Sequence, residues 1–209
     1  MGDKTRDNRR DKLPVMILVL GTVAALFGGA LAFVNAHAQE VIEARVFKDE
    51  VLPTLNEAFG AFHPNNDFLK DKKTQFIGND AMGRRISADI YVAQTKHQPV
   101  AMATIVDGRG YGGLITVLVA ADVSKHEIIS VKTLAQKETR GIGDRIASHQ
   151  DPFVRQFIGM RIESDMKLSS NGGEIDAMSG ATVTSVAFSK TVKAAAHLLL
   201  NEMTHKGGK

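Results

Sequence analysis

The stretch Asp176-Ala177-Met178-Ser179-Gly180-Ala181-Thr182-Val183-Thr184-Ser185 marks where the last helical segment of the chain begins. Beyond it, Phe188, Val192, Ala195 and Leu199 recur at spacings of three and four, while Ser189, Lys193, His197 and Asn201 fall on a more polar face. This pattern predicts a helix from about Val183 to Met203. A Ser or Thr at its start would cap free backbone N–H groups. The same geometry suits an anion, because a helix N-terminus presents unpaired N–H groups and a partial positive charge. Gly180 and Ala181 let a bulky group approach the backbone, and Thr182 adds a hydroxyl that can be esterified. A helix cap and a phosphate site are thus two readings of the same residues.

Upstream of this stretch the pattern changes to period two. Ile86, Ala88, Ile90 and Val92 alternate with Ser87, Asp89 and Tyr91, as in a half-buried strand. Lys96-His97-Gln98-Pro99 reads as a turn, and Val100 to Val106 as a central strand. Asp107-Gly108-Arg109-Gly110-Tyr111-Gly112-Gly113 reads as a hairpin loop. A Gly-x-Gly-x-x-Gly pattern can be laid on it, but no helix follows, which excludes a dinucleotide-binding fold. Leu114 to Val123 and Glu127 to Leu134 read as two further strands. Short connections between successive strands favour an antiparallel sheet. Lys137-Glu138-Thr139-Arg140-Gly141-Ile142-Gly143-Asp144 reads as a solvated turn. Residues 152–160 read as a short helix with Phe153 and Phe157 on one face, and Asn171-Gly172-Gly173 as another turn.

At the other end of the chain, Lys4, Arg6, Arg9, Arg10 and Lys12 are interleaved with Asp3, Asp7 and Asp11. From Pro14 to Val34 there is no charge and no polar face, and at 1.5 Å per residue this run spans roughly the ~30 Å hydrocarbon core of a bilayer. Three readings compete: an uncleaved anchor, a cleavable signal ending at Ala36-His37-Ala38, and a twin-arginine signal at Arg9-Arg10. The apolar run is longer than a signal-peptide core, and Asp11 directly follows the arginine pair, so the anchor is favoured. The excess of Lys and Arg before the span, against Arg45 and Lys48 after it, places the N-terminus in the cytoplasm. Residues 40–62 read as a helix leading away from the membrane with a break at Pro53, and residues 63–73 as a polar loop.

The formal net charge of +3 is mild and lies largely in the tails, which argues against a nucleic-acid surface. With no Cys, the chain can form neither disulfides nor thiolate metal sites. The seven His residues are scattered without a zinc-type spacing, so no metal is expected. No acid–base constellation for catalysis is evident.

Asp176-x-x-Ser179-Gly180-Ala181-Thr182 resembles the flavinylation motif of FMN-binding domains in bacterial membrane redox complexes. In that family a separate flavin transferase joins FMN, through its phosphate, to the Thr that closes the motif. The resemblance therefore implies covalent FMN on Thr182, with Ser179, Gly180 and Ala181 shaping the phosphate site and Asp176 serving the modification step or the loop. Thr184 lies beyond the motif's end and ranks below Thr182. The loop holding Glu138, Thr139, Gly141 and Gly143 is similar to the family's Glu-Thr-Pro-Gly-Leu-Gly loop, which lies against the flavin, but has Arg140 and Ile142 in place of Pro and Leu. A cation at position 140 would favour an anionic reduced flavin. The Tyr111-Gly112-Gly113 turn also matches, and Tyr111 would pack near the ring.

The resemblance covers most of residues 75–200. In length and layout it is nearest to the G subunits of Rnf ion-translocating ferredoxin:NAD oxidoreductases; the C subunit of the sodium-translocating NADH:quinone reductase is a longer relative. It implies an α+β fold: one N-terminal transmembrane helix, then an FMN-binding domain with a mainly antiparallel sheet and flanking helices. The expected organisation is a cytoplasmic N-terminus at 1–13, an anchor at 14–36, a helical linker region at 37–73, the FMN-binding domain at 74–205 and a tail at 206–209. The expected setting is the bacterial inner membrane, with the FMN domain on the periplasmic side and the other membrane and peripheral subunits of the complex as partners. The implied role is electron relay, without substrate turnover by this chain alone. Two other classes stand beside it: a membrane-tethered binding or assembly module without cofactor, and an enzyme that binds FMN reversibly.

Overall fold

A computed structural model describes residues 12–79 and 85–206. The charged N-terminal residues up to 11, with their Lys and Arg excess, and the end of the tail from 207 lie outside the described residues. By its contacts the chain divides into two units, Met1–Glu50 and Val51–Lys209.

In the first unit, helix α1 (Lys12–Val46) carries the apolar run, and Ala36-His37-Ala38 lies inside it. The segment Pro14–Ala36 has mean hydropathy 2.4, and its side chains are unburied. At 1.5 Å per residue those 23 residues reach about 34 Å, enough to cross a bilayer core. The helix passes into a π-helical turn at Phe47–Val51, on whose far side helix α2 (Leu52–Phe59) opens with Pro53 in its first turn. Proline has no amide to donate into the helix, and the wider π-helical turn stands directly before it.

The second unit is built on a five-stranded sheet: β1 (Lys73–Asn79), β2 (Arg85–Thr95), β3 (Gln98–Arg109), β4 (Leu114–Asp122) and β5 (Glu127–Ala135). The strands lie side by side in sequence order, and every pairing is antiparallel. The β2–β3 hairpin is tighter than the expected four-residue turn. Lys96 and His97 alone make it, both left-handed (φ 53° and 63°), the backbone of a type I′ turn adopted without glycine.

Helix α3 (Pro152–Arg155) and the long helix α4 (Thr182–Lys206) complete the domain, with α4 lying along β3 and β4. The main core joins Ile90, Val92, Met102, Val117 and Val119 of the sheet to Phe188, Val192, Ala195 and Leu199 of α4. Phe153, Phe157 and Phe188 pack with ring centroids 5.5–5.6 Å apart. Alternation carries Ala93, Ala101, Ala103 and Ala120 to the opposite face, where they too are buried, as are Leu55, Phe59 and Phe68. This explains two departures from the sequence pattern. Tyr91 is buried although it alternates with apolar neighbours, because both faces of the sheet are covered. Ser189, expected on the polar face of α4, is buried and donates its hydroxyl to Met166 O.

The β4–β5 turn is held by Asp122, whose Oδ1 accepts from Ser124 N and Oγ, both at 2.7 Å, and from Lys125 N at 2.9 Å. Burial pushes the Asp122 carboxyl up, but those hydrogen bonds outweigh it and hold the group below its ordinary 3.8. A depressed carboxyl contributes stability above its unfolded value and loses it as pH falls through the folded one. Asp122→Asn is therefore expected to be less stable than the native protein at pH 7, with the gap closing as pH drops below about 3.8; chemical unfolding of the full chain in detergent at stepped pH measures it. In the core, Phe188→Ala should cost about 3–5 kcal/mol in the same assay, and a loss under 1 kcal/mol would contradict the packing described.

Candidate functional site

The motif stretch folds as a tight turn leading straight into α4. Ala181 N donates to Met178 O at 3.1 Å, and Gly180 sits at φ +76°, a left-handed backbone that favours glycine. Ser185 braces the turn from within: its Oγ accepts from Met178 N at 3.0 Å and donates to Ala181 O at 2.9 Å. From outside, Gln156 grips the backbone of Asp176, accepting from its N–H at 2.7 Å and donating to its C=O at 3.1 Å. Gln156 was not singled out by sequence; its amide matches a peptide group 20 residues away, and nothing local signals that.

Burial separates the motif into two sets. Met178, Ala181, Thr184 and Ser185 face inward, whereas Asp176, Ser179, Gly180, Thr182 and Val183 are exposed. Among the described residues, the amides of Thr182, Val183 and Thr184 donate no hydrogen bond, while that of Ser185 goes to Ala181 O at 2.9 Å. Three free amides, an outward hydroxyl and a Gly180 whose missing Cβ would meet nothing closer than Ile142 Cγ2 at 3.8 Å form a donor set that fits a phosphate.

Two further loops converge on this helix start. The carboxylate of Glu138 is buried; its Oε2 accepts from Thr184 Oγ1 and its Oε1 accepts from Gly112 N at 2.9 Å. The carboxylate of Glu138, a residue expected to flank a cofactor, is turned inward onto these two partners. The rest of its loop wraps around one carbonyl, Thr139 O, which accepts from Ile142 N at 3.2 Å, Gly143 N at 2.9 Å and Asp144 N at 3.2 Å. Gly141, at φ +74°, donates to Asp144 Oδ1 at 2.8 Å. Thr139, Arg140 and Ile142 remain exposed, as does Tyr111, 74% open at the tip of the β3–β4 hairpin. That hairpin lies against the loop so closely that a Cβ on Gly112 would stand 2.0 Å from Lys137 O.

The Gly112 turn, the Glu138 loop and the Asp176–Ser185 turn thus meet at the start of α4, with only some of their residues facing solvent. Among the described residues, no group of three His, Asp or Glu is placed to hold a metal ion.

The matches to known proteins follow this geometry. Residues 110–197, from the β3–β4 turn into α4 and so including all three loops, match the model of the FMN-binding domain. The G subunit of the ion-translocating oxidoreductase complex of Shewanella oneidensis is 30% identical over 183 residues, 85% of either chain. That of Shewanella baltica is 31% identical over 180 residues, 84% of either chain. This chain belongs to the family of these G subunits. Among solved structures, NqrC of Shewanella oneidensis shares the fold, with TM-score 0.50 at 19% identity over 63% of this chain and 69% of that one.

The family's α+β domain is realised here with a crowded contact between hairpin and loop. Gly112→Ala should therefore lower stability by about 1–3 kcal/mol, because backbone cannot retreat as a flexible side chain can. Thermal unfolding of the full chain in detergent checks this, and an unchanged midpoint would contradict the close approach.

Proposed function

We propose that this member of the G-subunit family is an electron-relay component of a membrane-bound, ion-translocating oxidoreductase of the Rnf type, with FMN tethered by a phosphoester to Thr182 Oγ1. The observation that carries the reading is the contrast between two hydroxyls in one helical turn. Thr182 is exposed beside three free amides, whereas Thr184 is 3% exposed and its hydroxyl is bonded to Glu138. The match to the FMN-binding domain model and the family membership support the cofactor and the setting.

Bound FMN supplies the ability to take up and release one or two electrons. The protein's part is to hold it. The amides of Thr182, Val183 and Thr184 and the positive end of α4 stabilise the phosphate charge. Ser185 and Gln156 fix the turn that presents Thr182. Ile142, 44% exposed beside Gly180, and Tyr111 would offer apolar surface to a flat ring, and the exposed Arg140 would add a cation to the same loop. A tether lets so open a site retain its cofactor, and it sets the distance to neighbouring carriers.

Esterification of a hydroxyl in water needs an activated flavin phosphate as donor. In such a transfer the phosphoanhydride bond would break as the Thr182 Oγ1–phosphorus bond formed, with the second phosphate of the anhydride departing as the leaving group and the hydroxyl proton released; a flavin transferase is the partner that would present this donor. In this reading α1 is an uncleaved anchor in the bacterial inner membrane, with the N-terminus cytoplasmic, the FMN domain periplasmic and the other subunits of the complex as partners. No substrate is turned over by this chain alone.

The test is the intact mass of the full chain co-produced with a flavin transferase. Native protein should gain one FMN minus water, Thr182→Ala should gain nothing, and Thr184→Ser should retain the gain. An unmodified native chain beside an active transferase would overturn the tether.

A further inference from the structure

We infer that Glu138 is a positioning residue: it joins three loops into one unit that receives the flavin, and by holding the Thr184 hydroxyl it leaves Thr182 as the hydroxyl offered for esterification. This rests on the reading of Thr182 above and adds to it the residue that selects between the two threonines.

The geometry is specific. Glu138 lies 46 residues before Thr184 and 26 after Gly112, so its carboxylate is a long-range tie and not a local cap. Both carboxylate oxygens are used, one on the Thr184 hydroxyl of α4 and one on the Gly112 amide of the hairpin turn. Glu138 is 8% and Thr184 3% exposed, so water does not readily replace either bond. Glycines admit the carboxylate on two sides. A Cβ on Gly110 would stand 2.3 Å from Glu138 Oε1, and one on Gly143 would stand 2.9 Å from Thr184 Oγ1 and 3.1 Å from Glu138 Oε2. Side chains at either glycine would push the carboxylate off its partners.

The exposed faces of the same three segments carry Tyr111, Ile142 and Thr182. What Glu138 fixes on the buried side therefore sets the spacing of the groups on the open side. The carboxylate is bonded to Thr184 and not to Thr182, so it is not a base for the esterified hydroxyl.

The experiment uses the full chain in detergent with a flavin transferase and its activated flavin phosphate, following intact mass over time and mapping the modified residue. The variants are Glu138→Ala, Glu138→Gln, Thr184→Val, Thr184→Ser and the double variant Glu138→Ala with Thr184→Val. Amide exchange at Gly112 is measured on the flavin-free chains. Losing a buried hydrogen bond to a charged group should slow loading of Thr182 about tenfold in Glu138→Ala and in Thr184→Val, and speed Gly112 exchange by about as much. Ser keeps the hydroxyl, while Gln keeps an acceptor for Gly112 N and its Nε2 can donate to Thr184 Oγ1, so both variants should restore both readings to within about twofold of the native chain. The double variant should be no slower than the slower single one, because both changes break the same bond. Native loading and native Gly112 exchange in Glu138→Ala, or single effects that multiply in the double variant, would overturn this inference while leaving the tether intact. A native chain that takes up no flavin would overturn both.

Discussion

A carboxylate taken out of water must find partners for its charge, and the carboxylate of Glu138 finds them on two different segments of the chain. The hairpin turn at Gly112, the loop that carries Glu138 and the first turn of α4 share no regular secondary structure. Their mutual position depends on this buried group and on the glycines that make room for it. The long elements set the stage for it. A Cβ on Gly108 of β3 would stand 1.8 Å from Thr191 Oγ1 of α4, so strand and helix lie in close contact near the turn of the β3–β4 hairpin. That contact brings the positive end of the helix beside the two loops.

The division of labour between buried and exposed groups follows. Ser185, Thr184 and Glu138 spend their polar atoms on one another's segments and on the backbone, and so hold the turn rigid. Thr182, the free amides and the exposed faces of Ile142 and Tyr111 are left for a ligand. The site is open and shallow, which suits a cofactor held by a bond. On the proposed function, retention comes from the phosphoester, and the surface around it has only to orient the ring and tune its charge. On that same reading, the exposed Arg140 would be a cation available for that tuning.

Much of the fold was legible because its determinants are local. Period-two alternation gives β2, apolar stretches between turn signals give β3 to β5, the three-and-four spacing gives α4, and an uncharged run gives the apolar part of α1. The start of α4 at Thr182 was legible for the same reason, since small and hydroxyl-bearing residues precede an apolar stripe. Errors arose where tertiary contacts decide. Ser189 reads as polar and outward, yet a carbonyl at Met166 waits for its hydroxyl inside the core. Tyr91 reads as solvent-facing because alternation cannot tell a sheet covered on one face from one covered on both. The Lys96-His97 turn carries no glycine to announce its left-handed backbone. The roles of Gln156 and Glu138 depend on partners 20 and 46 residues away, and a single sequence holds no sign of such pairings.

On the proposed function, the flavin falls on Thr182 and not on Thr184. Tandem mass spectrometry of the tryptic peptide running from Leu168 to Lys190, taken from the flavinylated full chain, reads this directly, because the two threonines fall on either side of the bond between Val183 and its neighbour Thr184. C-terminal fragments that begin at Val183 or Thr184 are expected to be free of flavin, and fragments extended through Thr182 to carry it. Flavin on the fragments that begin at Thr184, or a peptide with no flavin from protein exposed to an active transferase, would contradict it.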